Sequence, residues 1–325
     1  MSLKIMDVTI RESTYIENIF LNEQDAINII DGLSSSNIDF IEIGYVSTHT
    51  TKNLFKSCSP NLINTLGKHL CNKKTKLVLM MYPKDYTDKF LDCFLNPYVG
   101  LVRLCISIDN IHTSIPLIHK LKKYNIPISA NLTRISKLSL KEIIQYAHLF
   151  EKAGADYVYL ADSNGAMLPD EITTLFSSLR KETHIKLGFH PHDNLRTGTA
   201  NSLSAIKNGV NIVDASLYGY GKGLANLPLQ SFIAIIKKLK LRNDVNLGKI
   251  IQTSNKLYND KLYSGFQKYL NNRECNILTG YYNINFDFIK KLQHEAVSKN
   301  INFIDVLLNN VSNQNITLKG CQLYE

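Results

Sequence analysis

No stretch of this chain approaches the ~18 uncharged apolar residues of a membrane-crossing helix, so no transmembrane segment is expected. The N-terminus carries Lys4, Asp7 and Arg11, which leaves no room for the apolar run of a signal peptide; a cytoplasmic protein is expected. The cysteines (Cys58, Cys71, Cys93, Cys105, Cys275 and Cys321) are far apart and form no C-x-x-C pair. That excludes a disulfide framework or a zinc ribbon and fits free thiols in a reducing compartment. There is also no basic stripe or arm. The formal net charge of +9 is dispersed over pairs such as Lys73-Lys74, Lys122-Lys123, Lys237-Lys238 and Lys290-Lys291, so nucleic-acid binding is not expected. With 44% hydrophobic and 20% charged residues, the composition rules out wholesale disorder, collagen-like repetition and a coiled coil.

What the chain has is a repeating alternation. Short β-branched runs (Ile5–Ile10, Ile38–Tyr45, Lys76–Met81, Leu101–Ile106, Pro127–Leu132, Tyr157–Ala161, Ile185–His190, Ile212–Ser216) are predicted as strands. Amphipathic segments are predicted between them as helices, including Asn22–Ser35, Ile111–Tyr124, Leu140–Ala153, Pro169–Lys181, Leu195–Asn208 and Leu229–Leu239. Ser139 with Glu142 makes a capping box, Pro169 suits a first turn, and Gly154 and Gly209 fall where helices should stop. The strands are continuously apolar, as in a parallel sheet covered on both faces. Eight β–α units in about 240 residues predict an α/β fold, a (β/α)8 barrel over residues 1–240. An open doubly wound sheet seldom needs so many units. Residues 241–325 are predicted as a small helical C-terminal domain (Leu247–Tyr258, Asp260–Leu270, Phe286–Lys299, Phe303–Asn310), with Tyr258, Tyr263, Phe266 and Tyr269 as packing residues.

Active sites of such barrels lie at the C-terminal ends of the strands. His190 and His192 end the seventh predicted strand, and an i, i+2 pair shares one face with Cα atoms ~6.6 Å apart. Two imidazoles so placed can each reach one metal at ~2.0–2.1 Å. Glu12, after strand 1, lies about 10 Å away at backbone level, a gap that inward side chains cover. A carboxylate and two histidines facing a cavity would leave open positions on a divalent ion. Arg11 supplies a fixed cation where enolate charge would develop. The plainer alternative is a structural Arg11–Glu12 pair beside two metal-free histidines. Asp162-Ser163-Asn164-Gly165 offers donors at the same rim or a simple turn. The Gly219/Gly221/Gly223 loop permits close backbone approach but is weak as a phosphate motif.

The stretches Asp7–Tyr15, Asp39–Tyr45, Leu160–Met167 and Gly188–Pro228 resemble the DRE-TIM metallolyase (HMGL-like) superfamily. The likeness is strongest to its 4-hydroxy-2-oxovalerate aldolases and the aldolase-like proteins of polysaccharide clusters. It implies Arg11 as enolate stabiliser and Glu12, His190, His192 and Asn226 as ligands of Mn²⁺ or, alternatively, Mg²⁺. Ser163 and Asn131 become substrate contacts together with Arg11. Tyr15 stands where the aldolases carry a catalytic histidine, and Tyr281 matches a tyrosine delivered by the C-terminal region. The family's Arg-Asp-Gly is here Arg11-Glu12-Ser13, which lengthens the ligand by a methylene and removes a permissive glycine. The glycine loop lacks the CoA lyases' cysteine. The resemblance thus implies a metal-dependent aldolase acting on a 2-oxo acid and an aldehyde. A homo-oligomer is expected, with a dehydrogenase or thiamine-dependent enzyme as partner through the C-terminal helices. The general base stays open between Tyr15, a neighbour of His192 and a hydroxide on the metal. The alternatives are a Claisen-type acyl-CoA synthase and a non-catalytic barrel that docks a partner enzyme.

Overall fold

A computed structural model of the chain describes residues 3–16, 21–49, 51–222, 225–258 and 273–313. Eight parallel strands close into a barrel in sequence order: β1 Lys4–Asp7, β2 Phe40–Tyr45, β3 Lys76–Met81, β4 Val99–Ile106, β5 Ile128–Thr133, β6 Tyr157–Asp162, β7 Lys186–Pro191 and β8 Ile212–Ala215. β1 closes on β8, with Asp7 opposite Ala215. The predicted (β/α)8 barrel is therefore present, with further helices after it.

Strand alternation divides the side chains between two environments. One set, including Ile41, Leu77, Leu79, Leu104, Val158 and Leu187, faces the surrounding helices in the main core. The other set fills the barrel in layers. Met6, Val8, Phe40, Val78, Leu101, Tyr157, Tyr159 and Ile212 form an apolar interior cluster. Two residues beyond three of these the character changes: Phe40 gives way to Glu42, Leu101 to Arg103 and Ile212 to Asp214, all within 1% of full burial. The apolar plug thus supports a layer of buried charge towards the C-terminal mouth.

Local signals act as expected at most boundaries. Ser139 and Glu142 cap Leu140–Lys152 reciprocally, and Gly154 and Gly209 adopt φ of +92° and +88° after their helices. Two boundaries beside the site differ for a visible reason, and one helix is additional. β1 stops at Asp7 rather than Ile10, because the Asp7 carboxylate accepts the Thr9 N–H at 3.0 Å and the Thr9 hydroxyl at 2.8 Å. This local bond turns the chain out of the sheet into a helical turn, Thr9–Glu12. The helix predicted from Leu195 begins at Gly198, whose N–H is taken by Asp193 at 2.8 Å. A helix at Arg273–Tyr281 was not anticipated.

Beyond the barrel helices, Leu247–Leu257 joins the main core through Ile250 and Leu257. Cys275, Ile284, Ile289, Leu292, Ala296, Val306 and Leu307 make a separate small core among the last helices. The expected helix Asp260–Leu270, with Tyr263, Phe266 and Tyr269, lies outside the described residues, as do Gly223 and Cys321. Among the described residues no helix is long and apolar enough to cross a membrane.

Candidate active site

The turn after β1 presents Arg11 and Glu12, each at most 4% exposed, to the barrel mouth. The Arg11 Nε–H donates to Glu42 Oε2 at 2.6 Å, and its Nη1 contacts Glu12 Oε1. Glu12 Oε2 accepts the backbone N–H of Lys222 at 2.9 Å, and Oε1 lies 3.8 Å from His190 Nε2. On the other edge of that imidazole, Nδ1 and Asp214 Oδ2 are 2.9 Å apart. A carboxylate beside Nδ1 orients the ring and favours the tautomer whose other nitrogen, Nε2, is turned toward Glu12. His190 and His192 sit with ring centroids 5.2 Å apart.

Arg103 closes the circuit. Its Nη1 donates to Glu42 Oε1 at 3.0 Å, its Nη2 donates to Asp214 Oδ2 at 2.7 Å, and its guanidinium lies 4.2 Å from the Tyr159 ring centroid. Arg11, Glu42, Arg103, Asp214, His190 and Glu12 therefore form a closed ring of buried ionisable side chains contributed by β2, β4, β7, β8 and the turn after β1. Buried charges persist only when so paired, and removal of one partner typically costs about 3–5 kcal/mol. Glu42, Arg103 and Asp214 were not among the sequence candidates. Their signal was available: each is a charged residue inside an apolar strand run (FIEIGY, LVRLCI, IVDA), where an unpartnered charge cannot stand.

Burial raises the Glu12 carboxyl, but the adjoining Arg11 guanidinium above all, with the two histidine rings and the Lys222 N–H, outweighs it and brings it down to about 2. Burial, aided by His190, lowers His192 to about 3, so its imidazole is neutral and its lone pair available. Asn226 bridges back to His192, donates from Nδ2 to the Tyr220 carbonyl at 3.1 Å, and leaves Oδ1 buried without a partner among the described residues. Gly221 makes the close approach possible: a Cβ there would stand 2.0 Å from Asn226 Nδ2 and 2.6 Å from Glu12 Oε2.

These donors fit a hard or borderline divalent ion: a carboxylate, two imidazoles and an amide oxygen with no partner among the described residues. Among the described residues no three His, Cys, Asp or Glu side chains already converge at ligand spacing, because Glu12 is drawn onto Arg11.

The other candidates sit around this centre. The Tyr15 hydroxyl pairs with that of Tyr45, whose ring stacks on Tyr82 at 5.5 Å. Burial, with Tyr82 adding to it, holds the Tyr15 phenol well above its usual range. That keeps it protonated and makes it a donor rather than a resting base. Lys222 Nζ lies 5.7 Å from the Tyr15 ring and pairs with Asp287 at 2.9 Å. Asn131 is 3% exposed and faces Arg103; with its amide oxygen on Arg103 Nε (2.7 Å), its nitrogen reaches Ser129 Oγ at 2.6 Å. Ser163 is at the rim, its Oγ accepting the Arg134 N–H at 3.0 Å. Tyr281 is 53% exposed and packs edge-on against Tyr282; among the described residues no hydrogen bond joins it to Arg11, Glu12 or the histidines. Its neighbour Gly280 abuts the Gly165 carbonyl and Leu195, so the C-terminal region reaches the same rim. Asn283 ties it down, accepting from Ser136 Oγ (2.9 Å) and Asn164 Nδ2 (2.7 Å).

Residues 103–257 match the family model described as HMGL-like. The 4-hydroxy-2-oxovalerate aldolase of Geobacillus thermodenitrificans is 26% identical over 78% of this chain and 75% of its own length. That of Pseudomonas putida is 25% identical over 79% and 75%. Among solved structures, the N-terminal domain of a putative aldolase from Bacteroides vulgatus superposes with a TM-score of 0.74 at 26% identity, covering 89% of this chain and 96% of that one. A Bacillus subtilis HMG-CoA lyase superposes at 0.67 with 17% identity over 79% of this chain and 93% of its own, a likeness of fold alone.

Proposed function

This chain belongs to the DRE-TIM metallolyase superfamily, and from that premise we propose that it is a divalent-metal-dependent carbon–carbon lyase. In this reading it forms or cleaves the bond between a pyruvate enolate and an aldehyde, on a substrate of the 4-hydroxy-2-oxo acid type. The observation that carries the reading is the junction of the buried Arg11 guanidinium with Glu12 and His190 at the barrel mouth, beside an Asn226 oxygen that is buried without a partner among the described residues.

Glu12, His190, His192 and Asn226 would hold the metal, with Mn²⁺ our choice over Mg²⁺ because imidazole nitrogens suit it better. When bound, the ion would supply Lewis-acid polarisation of the substrate's 2-oxo group. Arg11 has the position and fixed charge to stabilise the developing enolate oxygen, and Glu42 locks its orientation. Tyr15, protonated through burial, donates to the aldehyde oxygen and passes it the proton in the condensation direction. Ser163 uses its Oγ as acceptor for Arg134 and keeps its hydroxyl proton for substrate. Asn131, buried beside Arg103, is the further substrate contact of this reading, and Tyr281 is the second phenol offered at the rim. We extend the proposal to a partner dehydrogenase or thiamine-dependent enzyme, received by the C-terminal helices on which Ile277, Tyr281 and Val297 are exposed.

Exhaustive chelation should abolish pyruvate release from a 4-hydroxy-2-oxo acid and added Mn²⁺ should restore it. Turnover that survives chelation overturns the metal's role. Thiol release from acetyl-CoA without pyruvate release would favour the acyl-CoA synthase instead.

A further inference from the structure

We propose that Arg103 is a positioning residue that sets the enolate-stabilising half and the metal-binding half of the site with one guanidinium. The inference rests on the aldolase reading for what the two halves do, but its geometry stands independently. Arg103 is fully buried within the barrel and touches neither Arg11 nor a candidate ligand by hydrogen bond. One arm of its fork reaches Glu42, whose other oxygen holds the Arg11 Nε–H. The other arm reaches the same Asp214 oxygen that faces His190 Nδ1. Tyr159 lies beneath the guanidinium plane, and the amide of Asn131 takes its Nε edge, so the fork has one orientation.

Each half follows from simple chemistry. Asp214 orients His190 and favours the tautomer with its proton on Nδ1, so that Nε2 is turned toward Glu12. Glu42 holds the Arg11 Nε–H and so fixes the plane of the guanidinium that also contacts Glu12. Without Arg103, the two carboxylates would repel each other with no cation between them, and the cheapest relief is for the Glu42 or the Asp214 side chain to turn away. Either motion releases Arg11 or His190. Lysine cannot substitute, because one ammonium point charge lacks the planar fork that spans both carboxylates.

The test compares Arg103→Lys with Glu42→Gln and Asp214→Asn in the full chain, with Arg242→Lys as a control for a buried arginine elsewhere. Arg242 pairs with Asp39 and Asp244 and has no contact with the ring. Mn²⁺ affinity is measured by titration calorimetry without substrate, and kcat at saturating Mn²⁺. Asp214→Asn should weaken Mn²⁺ about 10–100-fold. Glu42→Gln should leave Mn²⁺ affinity within about twofold and lower kcat about 10²-fold through a misplaced Arg11. Arg103→Lys should do both, and Arg242→Lys neither. A folded Arg103→Lys protein that moves one property alone, or neither, overturns the proposal. Should Arg103→Lys not fold, the two half-variants decide: equal effects of both on Mn²⁺ affinity overturn it. The aldolase reading fails separately, if the wild-type protein binds no Mn²⁺ and releases no pyruvate. In that event ¹⁵N spectra of the metal-free protein still read the geometry. His190 should carry its proton on Nδ1 in the wild type and lose that signature in Asp214→Asn and Arg103→Lys; an unchanged tautomer refutes the coupling.

Discussion

Asp7 is a carboxyl whose surroundings favour its neutral form. Burial pushes it up to about 7, only partly offset by the bonds from Thr9, and Asp162 rises to about 6 for the same reason. A folded-state value above the unfolded 3.8 has one sign: the folded chain keeps a proton that the unfolded chain has released. That stabilisation is complete below about pH 4 and is lost as the pH rises through 7. Asp7→Asn, isosteric with the neutral acid, should therefore flatten the decline, which in the wild type runs at up to about 1.4 kcal/mol per pH unit. Thermal melts of both proteins from pH 4 to 8 check this; parallel decline of the two would show that Asp7 is not responsible. His190→Ala removes the imidazole between Asp214 and Glu12, so protein supplemented with Mn²⁺ and desalted should retain no stoichiometric metal by elemental analysis. The histidine pair was legible in the sequence because its spacing matches the period of a strand. The ring that orients it was less so. Its members are dispersed from Arg11 to Asp214, and only closure of the barrel makes Glu42 and Arg103 neighbours.

At the level of elements, the strands were readable almost residue by residue, since β3 is Lys76–Met81 as predicted and β7 is displaced by one. A covered parallel strand has little freedom in composition, so its limits show as limits of apolar character. The end of β1 was hidden because a single side chain, Asp7, redirects the backbone with a local bond that hydrophobicity does not encode. The same redirection places Arg11 and Glu12 on a helical turn, closer to each other than strand geometry would bring them. The loop after β8 is the complementary case. Gly221 holds φ of +154°, and a Cβ placed there would collide with Asn226 and Glu12. Gly221→Ala should drive those two side chains apart and cost about 1–3 kcal/mol of backbone strain. We expect a lower melting temperature together with weakened Mn²⁺ binding. A variant that melts lower yet binds Mn²⁺ normally would remove Asn226 and Glu12 from the ligand set.

For the whole molecule, stability and site are bound together by the position of the charge ring. It rests on the apolar plug of Met6, Phe40, Leu101 and Ile212, so rigidity below is transmitted to the groups that would hold a metal above. The last helices secure the opposite side of the mouth, through Asn283 on Ser136 and Asn164 and Asp287 on Lys222. In the metal-free chain the ring holds more carboxylates than guanidiniums, so a divalent cation should stabilise the native state and have little affinity for the unfolded one. Mass action then gives about 2.7 kcal/mol at a hundred times Kd. Mn²⁺ should raise the melting temperature of the wild-type chain in a concentration-dependent way. The rise should vanish in His190→Ala and persist in Asn283→Ala, which loosens the rim without touching a ligand. A rise of equal size in His190→Ala would mean that the ion stabilises the protein from elsewhere, and the assignment of the barrel mouth as the metal site would fall.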